Sequence, residues 1–316
     1  MSVLPPTNKT KVSILGCGKV GMTAAFSLFL KNTAHEIVLH GRCKDPLVGE
    51  QLDLEHASSF VGSTKVTATD NYEDIANSDV VIIAAGASQK PGDTRLDLAE
   101  KNIAIIDAII PNVLKYAPNA IILIVSNPVD VLTYRAYQIA SKLGGVTKGR
   151  IFGSGTTLDT SRFRFHLSEI FKVSPRSIHA YVLGEHGDSS FPAIAQATIG
   201  GQLLTTFPEY SEERIAKAFE KAQTAAYKII ASKGSTYYAI GIVVEHIVRS
   251  ILQDSKSVLP LSIPLHGQYG LHGVSLSVPC IIGRNGVEEI LETKLSWDEK
   301  RKLEKSAETI RKYIVG

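Results

Sequence analysis

Short apolar runs with little polar interruption alternate with helical patterns through the first half of the chain. KVSIL (11–15), EIVL (36–39), VVIIAAG (80–86) and AIILIVS (120–126) read as strands, and Val20 to Leu30 and Ile103 to Leu114 read as helices. Near-continuous Val and Ile runs are what a parallel sheet covered on both faces requires. Strand and helix in turn predict a doubly wound α/β unit. After LGGVTKGR (143–150), a Gly-rich junction, the pattern changes. It predicts a polar helix carrying Asp159 and Arg162, a strand around Ile178 to Leu183, and helices from about Glu212 to Ser232 and Ala239 to Leu252. Irregular strands follow, and residues 294–314 close the chain as an amphipathic helix. The expected fold class is α/β, a doubly wound parallel sheet followed by a second, α+β domain. The boundary is expected near residue 150, giving domains 1–150 and 151–316.

Composition narrows the field without redirecting it. With 44% hydrophobic and 21% charged residues the chain is ordinary for a soluble globular protein. A net charge of +3 is too small to mark nucleic acid or a membrane as the main partner. No run of 18 apolar residues suggests a membrane span, and MSVLPPTNKT lacks an apolar signal core, so it reads as a short loose arm. Cys17, Cys43 and Cys280 are widely spaced and odd in number, which suits a reducing cytoplasm and no metal site.

GCGKVG (16–21) follows the first strand and opens the first helix with the spacing G-x-G-x-x-G. In that context Gly16 allows the tight turn, Gly18 lets the backbone approach a pyrophosphate, and Gly21 lets helix and strand pack closely. A glycine-rich turn without a ligand has the same spacing. The strand before and the helix after favour a dinucleotide, and with it a Rossmann domain. The second strand of such a domain usually ends in an acid that holds the adenosine ribose. Here EIVLHGRCK (36–44) ends its strand with His40, Gly41 and Arg42.

Four further stretches carry candidate chemistry: AGASQKPGDTR (85–95), VSNPVD (125–130), GSGTTLDTSRFR (153–164) and GEHGDSS (184–190). Together, in order and spacing, they closely resemble the L-lactate/malate dehydrogenase family, from Lys11 to about Ile314, nearest its bacterial lactate enzymes. The resemblance implies that His186 is the acid–base, that Asp159 holds its imidazole, and that Arg162 clamps a substrate carboxylate through paired hydrogen bonds. Asp159 and Arg162 are three residues apart, so a helix puts them on one face. It further implies that Arg95, in a lid, polarises the carbonyl as water is excluded. Asn127 would bond the reacting oxygen or the histidine, and Ser154 and Ile240 would meet the nicotinamide. Val20, Ala85, Gly86, Val125 and Ser126 complete the implied cofactor contacts. Taken singly, an Asp/Arg pair on a helix is usually a surface salt bridge, and a histidine in a Gly-rich loop is usually not catalytic. A catalytically silent nucleotide-binding protein with this fold is the remotest reading.

Two positions refine that resemblance. The family's lid residue two before Pro91 selects the substrate side chain, and here it is Gln89, where malate enzymes carry Arg. A neutral Gln leaves a second carboxylate unpaired, so pyruvate and L-lactate are expected, with Thr236 completing a small neutral pocket. If Gln89 is only a solvated lid residue, malate or broader 2-oxo acids enter. The family places Asp at the Gly41 position, and GEQLDLEHA (49–57) follows at the expected spacing, so the acid is absent. Losing it removes repulsion against a 2′-phosphate; Arg42 offers a planar fork, and His40 and Lys44 further donors. NADPH is therefore expected over NADH, unless Arg42 is merely a solvated turn residue. Asp45 is expected to cap the next helix rather than replace the acid. Some bacterial relatives bind fructose 1,6-bisphosphate between subunits with an Arg and a His, which implies Arg164 and His179 as an effector site and a homotetramer as the assembly.

Overall fold

A computed structural model describes residues 9–87, 95–145 and 148–314 of the chain. The first half runs β1 (Lys11–Leu15), α1 (Lys19–Leu30), β2 (Glu36–His40), α2 (Asp45–His56), β3 (Lys65–Thr69), β4 (Val80–Ile83), α3 (Arg95–Tyr116), β5 (Ile121–Ile124), α4 (Val129–Lys142) and β6 (Ile151–Gly153). The second half runs α5 (Thr157–Phe171), β7 (Ile178–Leu183), β8 (Phe191–Ile199), β9 (Gln202–Leu203), α6 (Glu212–Lys233), α7 (Tyr238–Leu252), β10 (Ser257–His266), β11 (His272–Gly283), β12 (Gly286–Ile290) and α8 (Trp297–Ile314).

Strands β3-β2-β1-β4-β5-β6 pair in parallel in that order. The order reverses between β1 and β4, and such a switch point opens the crevice where doubly wound sheets bind ligands. Leu15 aligns with both His40 and Ile83, so the chain after β1, β2 and β4 emerges on one rim. Alternate residues of each strand explain the unbroken apolar runs. Val12, Ile14, Val80 and Ile82 enter one core cluster, while Leu15, Val81 and Ile83 enter the cluster on the opposite face. A third cluster, with Phe163, Leu167, Ile178 and Val182, lies where α5 and α6 cover the small sheet β7-β8-β9.

The sheet does not stop at residue 153. β6 also pairs antiparallel with β10, and β11 and β12 extend the sheet to nine strands. The expected strands at 80–86 and 120–126 are shorter, because Ala84–Gly86 and Val125–Ser126 leave the sheet to form its rim. The pattern reading passed over β3, α4, β6 and β8. In α4 the β-branched and aromatic residues of VDVLTYRAY mask a helix that is buried all through its first turn, Val129 to Thr133, and then at helical spacing at Ala136 and Ala140. Asp45 is the first residue of α2 and makes no capping hydrogen bond; Lys44 occupies the cap position. The terminal helix starts at Trp297, three residues later than the apolar pattern suggested. Among the described residues no helix is long and apolar enough to cross a membrane, and no group of His, Cys, Asp and Glu could hold a metal ion.

Candidate active site

The glycine turn forms because no other residue fits at Gly16 or Gly21. Gly16 has φ +97°, and a Cβ there would sit 2.3 Å from the Ala85 backbone nitrogen. The Gly16 N–H donates to the His40 carbonyl at 3.0 Å, which ties the turn to the end of β2. A Cβ on Gly21 would meet the Gly16 carbonyl oxygen at 2.1 Å, so α1 lies directly on the turn. Gly18 is the opposite case: a Cβ there would have no neighbour within 4 Å, and no side chain caps α1. The helix N-terminus therefore faces open space with its amides free of side-chain caps, a cradle for a phosphate. Val20 is half-buried behind it. Ala85 and Gly86 after β4, and Val125 and Ser126 after β5, form the adjoining wall. The Ser126 hydroxyl donates to the Ala85 carbonyl at 2.6 Å and locks the two loops together. These residues fit a dinucleotide.

After β2, Gly41 donates to the Thr69 carbonyl at 3.1 Å, and Arg42 and Lys44 are exposed. His40 differs from its neighbours. It is 7% exposed, its ring lies 4.3 Å from that of Tyr72, and its Nε2 has no partner among the described residues. Burial holds its imidazole below the ordinary histidine range despite Asp70 and Asp74 nearby. It thus borders this corner as a neutral aromatic wall, where the sequence suggested a donor like Lys44.

The catalytic candidates converge from separate elements. Asp159, in the first turn of α5, accepts from Arg162 Nη1 at 3.1 Å through Oδ1, and its Oδ2 lies 2.6 Å from His186 Nδ1. Among the described residues no hydrogen bond engages the His186 Nε2, which is left for a ligand. Burial works against a charged imidazole, but the Asp159 carboxylate, its hydrogen bond, and Asp130 together raise the His186 pKa to about 9. Burial likewise opposes ionisation of Asp159, and His186 and Arg162 overcome it, so its pKa falls below the usual carboxylate value. A cavity of about 230 Å³ opens between them, lined by Asn127, Asp159, Arg162, His186, Ile310 and Tyr313 among others. That is below the usual range for drug-sized ligands and suits a small acid.

Two buried polar residues hold this arrangement, and the sequence reading passed over both. Asp130, on α4, accepts the His186 N–H at 2.7 Å and the Ser262 hydroxyl at 2.6 Å. Burial raises its pKa to about 6, with those two hydrogen bonds acting in the opposite direction. It is the last residue of VSNPVD, where an acid between apolar positions was the available signal. Asn102, on α3 and 2% exposed, accepts the Ala87 N–H at 2.7 Å and donates to the Asn127 carbonyl at 2.6 Å. Its signal was a polar residue among buried Ala99, Ile106 and Ile110.

The remaining predicted positions separate. Ser154 is buried just after β6, with its N–H on the Ile124 carbonyl. Thr236 lies in the short segment between α6 and α7, and does not line the cavity; Ile240, in the first turn of α7, packs on the core that includes α1. Arg164 leaves α5 away from the cavity, donates through Nε to the Ala180 carbonyl at 2.9 Å, and stands over the Tyr181 ring at 5.1 Å. His179, next to Ala180 on β7, is exposed. Gln89 and the Arg95 side chain lie outside the described residues.

Comparison with known proteins agrees with this geometry. Residues 10–153 match the lactate/malate dehydrogenase NAD binding domain, and residues 156–315 the lactate/malate dehydrogenase alpha/beta C-terminal domain. The chain is 46% identical to L-lactate dehydrogenase 1 of Clostridium acetobutylicum over 310 residues, 96% of this chain and 97% of that protein. It is 46% identical to the L-lactate dehydrogenase of Thermoanaerobacterium saccharolyticum over 313 residues, 96% and 98% of the two chains. The ligand-bound crystal structure of the minor L-lactate dehydrogenase of Enterococcus mundtii superposes with a TM-score of 0.92 at 36% identity, covering 97% of this chain and 98% of that one. The chain belongs to the lactate/malate dehydrogenase family.

Proposed function

We propose that the protein is an L-lactate dehydrogenase that interconverts pyruvate and L-lactate, with NADPH preferred and NADH also accepted. The observation that carries the reading is the union of His186, Asp159 and Arg162 around one small cavity beside the glycine-turn rim. A nicotinamide dinucleotide held at Gly16, Gly18 and Gly21 would supply the hydride chemistry at the keto carbon in either direction. His186 supplies the proton. Its Nδ1 is held by Asp159, so Nε2 faces the cavity, and a pKa of about 9 keeps it charged and ready to donate at neutral pH. In the reverse direction the neutral ring takes the proton from the lactate hydroxyl. Among the described residues Arg162 gives one guanidinium bond, to Asp159, and its further donors suit the substrate carboxylate. We assign Asn127 to the substrate, and Arg95 and Gln89 to the lid that covers it; Thr236, which does not line the cavity, is left out of the substrate set. Asn127 lines the cavity with His186, with its backbone fixed by Asn102.

The substrate assignment rests on Gln89, which brings no charge to pair a second carboxylate. The cofactor assignment rests on Gly41, Arg42 and Lys44: no acid stands at the end of β2, and two exposed cations follow it. We place the division between the cofactor and substrate domains near residue 150, and the enzyme in the cytoplasm. We further propose a homotetramer activated by fructose 1,6-bisphosphate at Arg164 and His179. Self-association is supported by Phe26 and Leu30 on α1 with Tyr238 and Ile242 on α7, large apolar side chains each more than half exposed on two adjoining helices.

The deciding experiment compares kcat/KM for NADPH and NADH with pyruvate and with oxaloacetate, in the wild type and in Gly41→Asp. The backbone at Gly41 is not left-handed, and a Cβ there meets only the flexible end of Leu47 at 3.1 Å, so the aspartate fits after a small shift. The wild type is expected to favour NADPH and pyruvate. Gly41→Asp is expected to move the cofactor ratio toward NADH by about tenfold or more, since a carboxylate repels the 2′-phosphate and bonds the ribose. A wild type that favours NADH overturns the phosphate reading, and one that favours oxaloacetate overturns the substrate.

A further inference from the structure

Between the glycine turn and the substrate side of the molecule lies a group of side chains with no role in the reading so far. Lys19 is the first residue of α1, directly after Gly18. Its ammonium stands 5.7 Å from the centre of the Tyr237 ring. Lys233, the last residue of α6, places its ammonium 3.5 Å from the same ring and 3.9 Å from that of Tyr238. The two rings are themselves in edge contact at 4.5 Å. Two cations thus share one aromatic ring, whose quadrupole attracts both. Lys233 acts on the Tyr237 phenol from one side, with Tyr238 and Lys19 adding to it, so the phenol ionises more readily than an ordinary tyrosine.

The place of this group gives it meaning. Lys19 lies within the motif whose amides face the phosphate cradle, and the open space at Gly18 adjoins it. Tyr237 follows Thr236 directly and is the N-cap residue of α7, which lies hard against α1: a Cβ on Gly241 would sit 2.5 Å from Thr23 Cγ2. An anion bound at the α1 N-terminus would therefore lie beside Lys19, and Lys233 meets Lys19 across the Tyr237 ring. We propose that Lys19 and Lys233 form a cation collar for the pyrophosphate of the dinucleotide, with Tyr237 as the surface that holds the two ammonium groups when no anion is bound. The proposal rests on the dinucleotide reading of the glycine turn. The pyrophosphate draws the lysines from the ring, and this couples cofactor binding to the 234–237 segment that carries Thr236. Because the pyrophosphate is common to both cofactors, the collar adds affinity without choosing between NADH and NADPH.

Both lysines are exposed, so their removal is compatible with folding. The test measures dissociation constants for NADH and NADPH by nicotinamide fluorescence, without substrate, in wild type, Lys19→Met, Lys233→Met and the double variant, each checked by thermal melting. Measurements at low and high salt read the charge directly, since exposed pairs are screened over about 8–10 Å at moderate ionic strength. Each single variant is expected to weaken both cofactors by a similar factor, about 3- to 10-fold at low salt, and to flatten the salt dependence. Variants that melt like the wild type yet bind both cofactors with unchanged affinity and salt dependence overturn the collar and leave the glycine-turn reading intact. A variant that weakens NADPH alone also overturns it, because the lysine then serves the 2′-phosphate. A wild type that binds neither cofactor overturns the dinucleotide reading and the collar with it.

Discussion

The protonation state of His186 is set by carboxylates that lie far away in sequence. Its pKa of about 9 arises against the cost of burial, through Asp159 first and Asp130 second. The charged ring is the form that donates to a keto oxygen, and the neutral ring the form that accepts from a hydroxyl. In the free enzyme kcat/KM for pyruvate reduction should accordingly hold across neutral pH and fall as pH rises through about 9. For lactate oxidation it should rise through the same region. Asp159→Asn removes the largest stabiliser of the charge while the amide still holds the ring. The breakpoint of both profiles should then drop by about two units or more, toward or below the ordinary 6.5 of histidine. pH–rate profiles in both directions check this, and a variant whose breakpoint stays near 9 would mean that Asp159 orients the ring without charging it.

At the scale of elements, the site depends on loops that rigid strands and helices hold from behind. Asn102 on α3 joins the β4 loop at Ala87 to the β5 loop at Asn127 with one acceptor and one donor. Asn102→Asp keeps the acceptor but sets a carboxylate against the Asn127 carbonyl. A lost buried hydrogen bond costs about 1–3 kcal/mol, so kcat/KM should fall by about tenfold at neutral pH. Burial raises a carboxyl pKa, and a protonated carboxyl donates again, so activity relative to wild type should recover as pH falls. Asn102→Ala should lose as much and recover nothing; identical pH dependence in the two variants would refute the clamp. The sequence revealed this level unevenly. β1, β2, β4 and β5 were legible because each is buried on both faces and so reads as an unbroken apolar run. The Asp159–Arg162 bond was legible because helical geometry joins positions three apart. The reach of Asp130 to the His186 backbone was not, since it spans 56 residues and exists only after α4 packs beside the 184–190 loop. β3 was hidden because only Val66, Ala68 and Thr69 in KVTAT are buried, and α4 because its β-branched residues argue for a strand.

For the whole molecule, the nine-stranded sheet makes the two halves one body, with β6 at the join between cofactor rim and substrate side. The proposed effector site lies on that second half, away from the cavity. Arg164 is committed to the Ala180 carbonyl and the Tyr181 ring, and burial lowers its pKa, so it is also a brace between α5 and β7. Replacing it would confuse a lost effector with a weakened packing contact. His179 is exposed and separates the two questions. A bisphosphate bridging symmetry-related subunits would favour the assembled, competent state by binding it selectively. His179→Gln should then keep the activity seen without effector and require about tenfold or more fructose 1,6-bisphosphate for half-activation, as the loss of one charge-assisted contact predicts. Sedimentation measured alongside activity should show that the effector shifts the wild type toward the tetramer at concentrations that leave His179→Gln unassembled. Activation that survives His179→Gln unchanged, with the wild type as its control, would place the effector elsewhere on the fold. No activation of the wild type would leave Arg164 as a structural brace alone, and the exposed apolar residues of α1 and α7 as the only proposed cause of assembly.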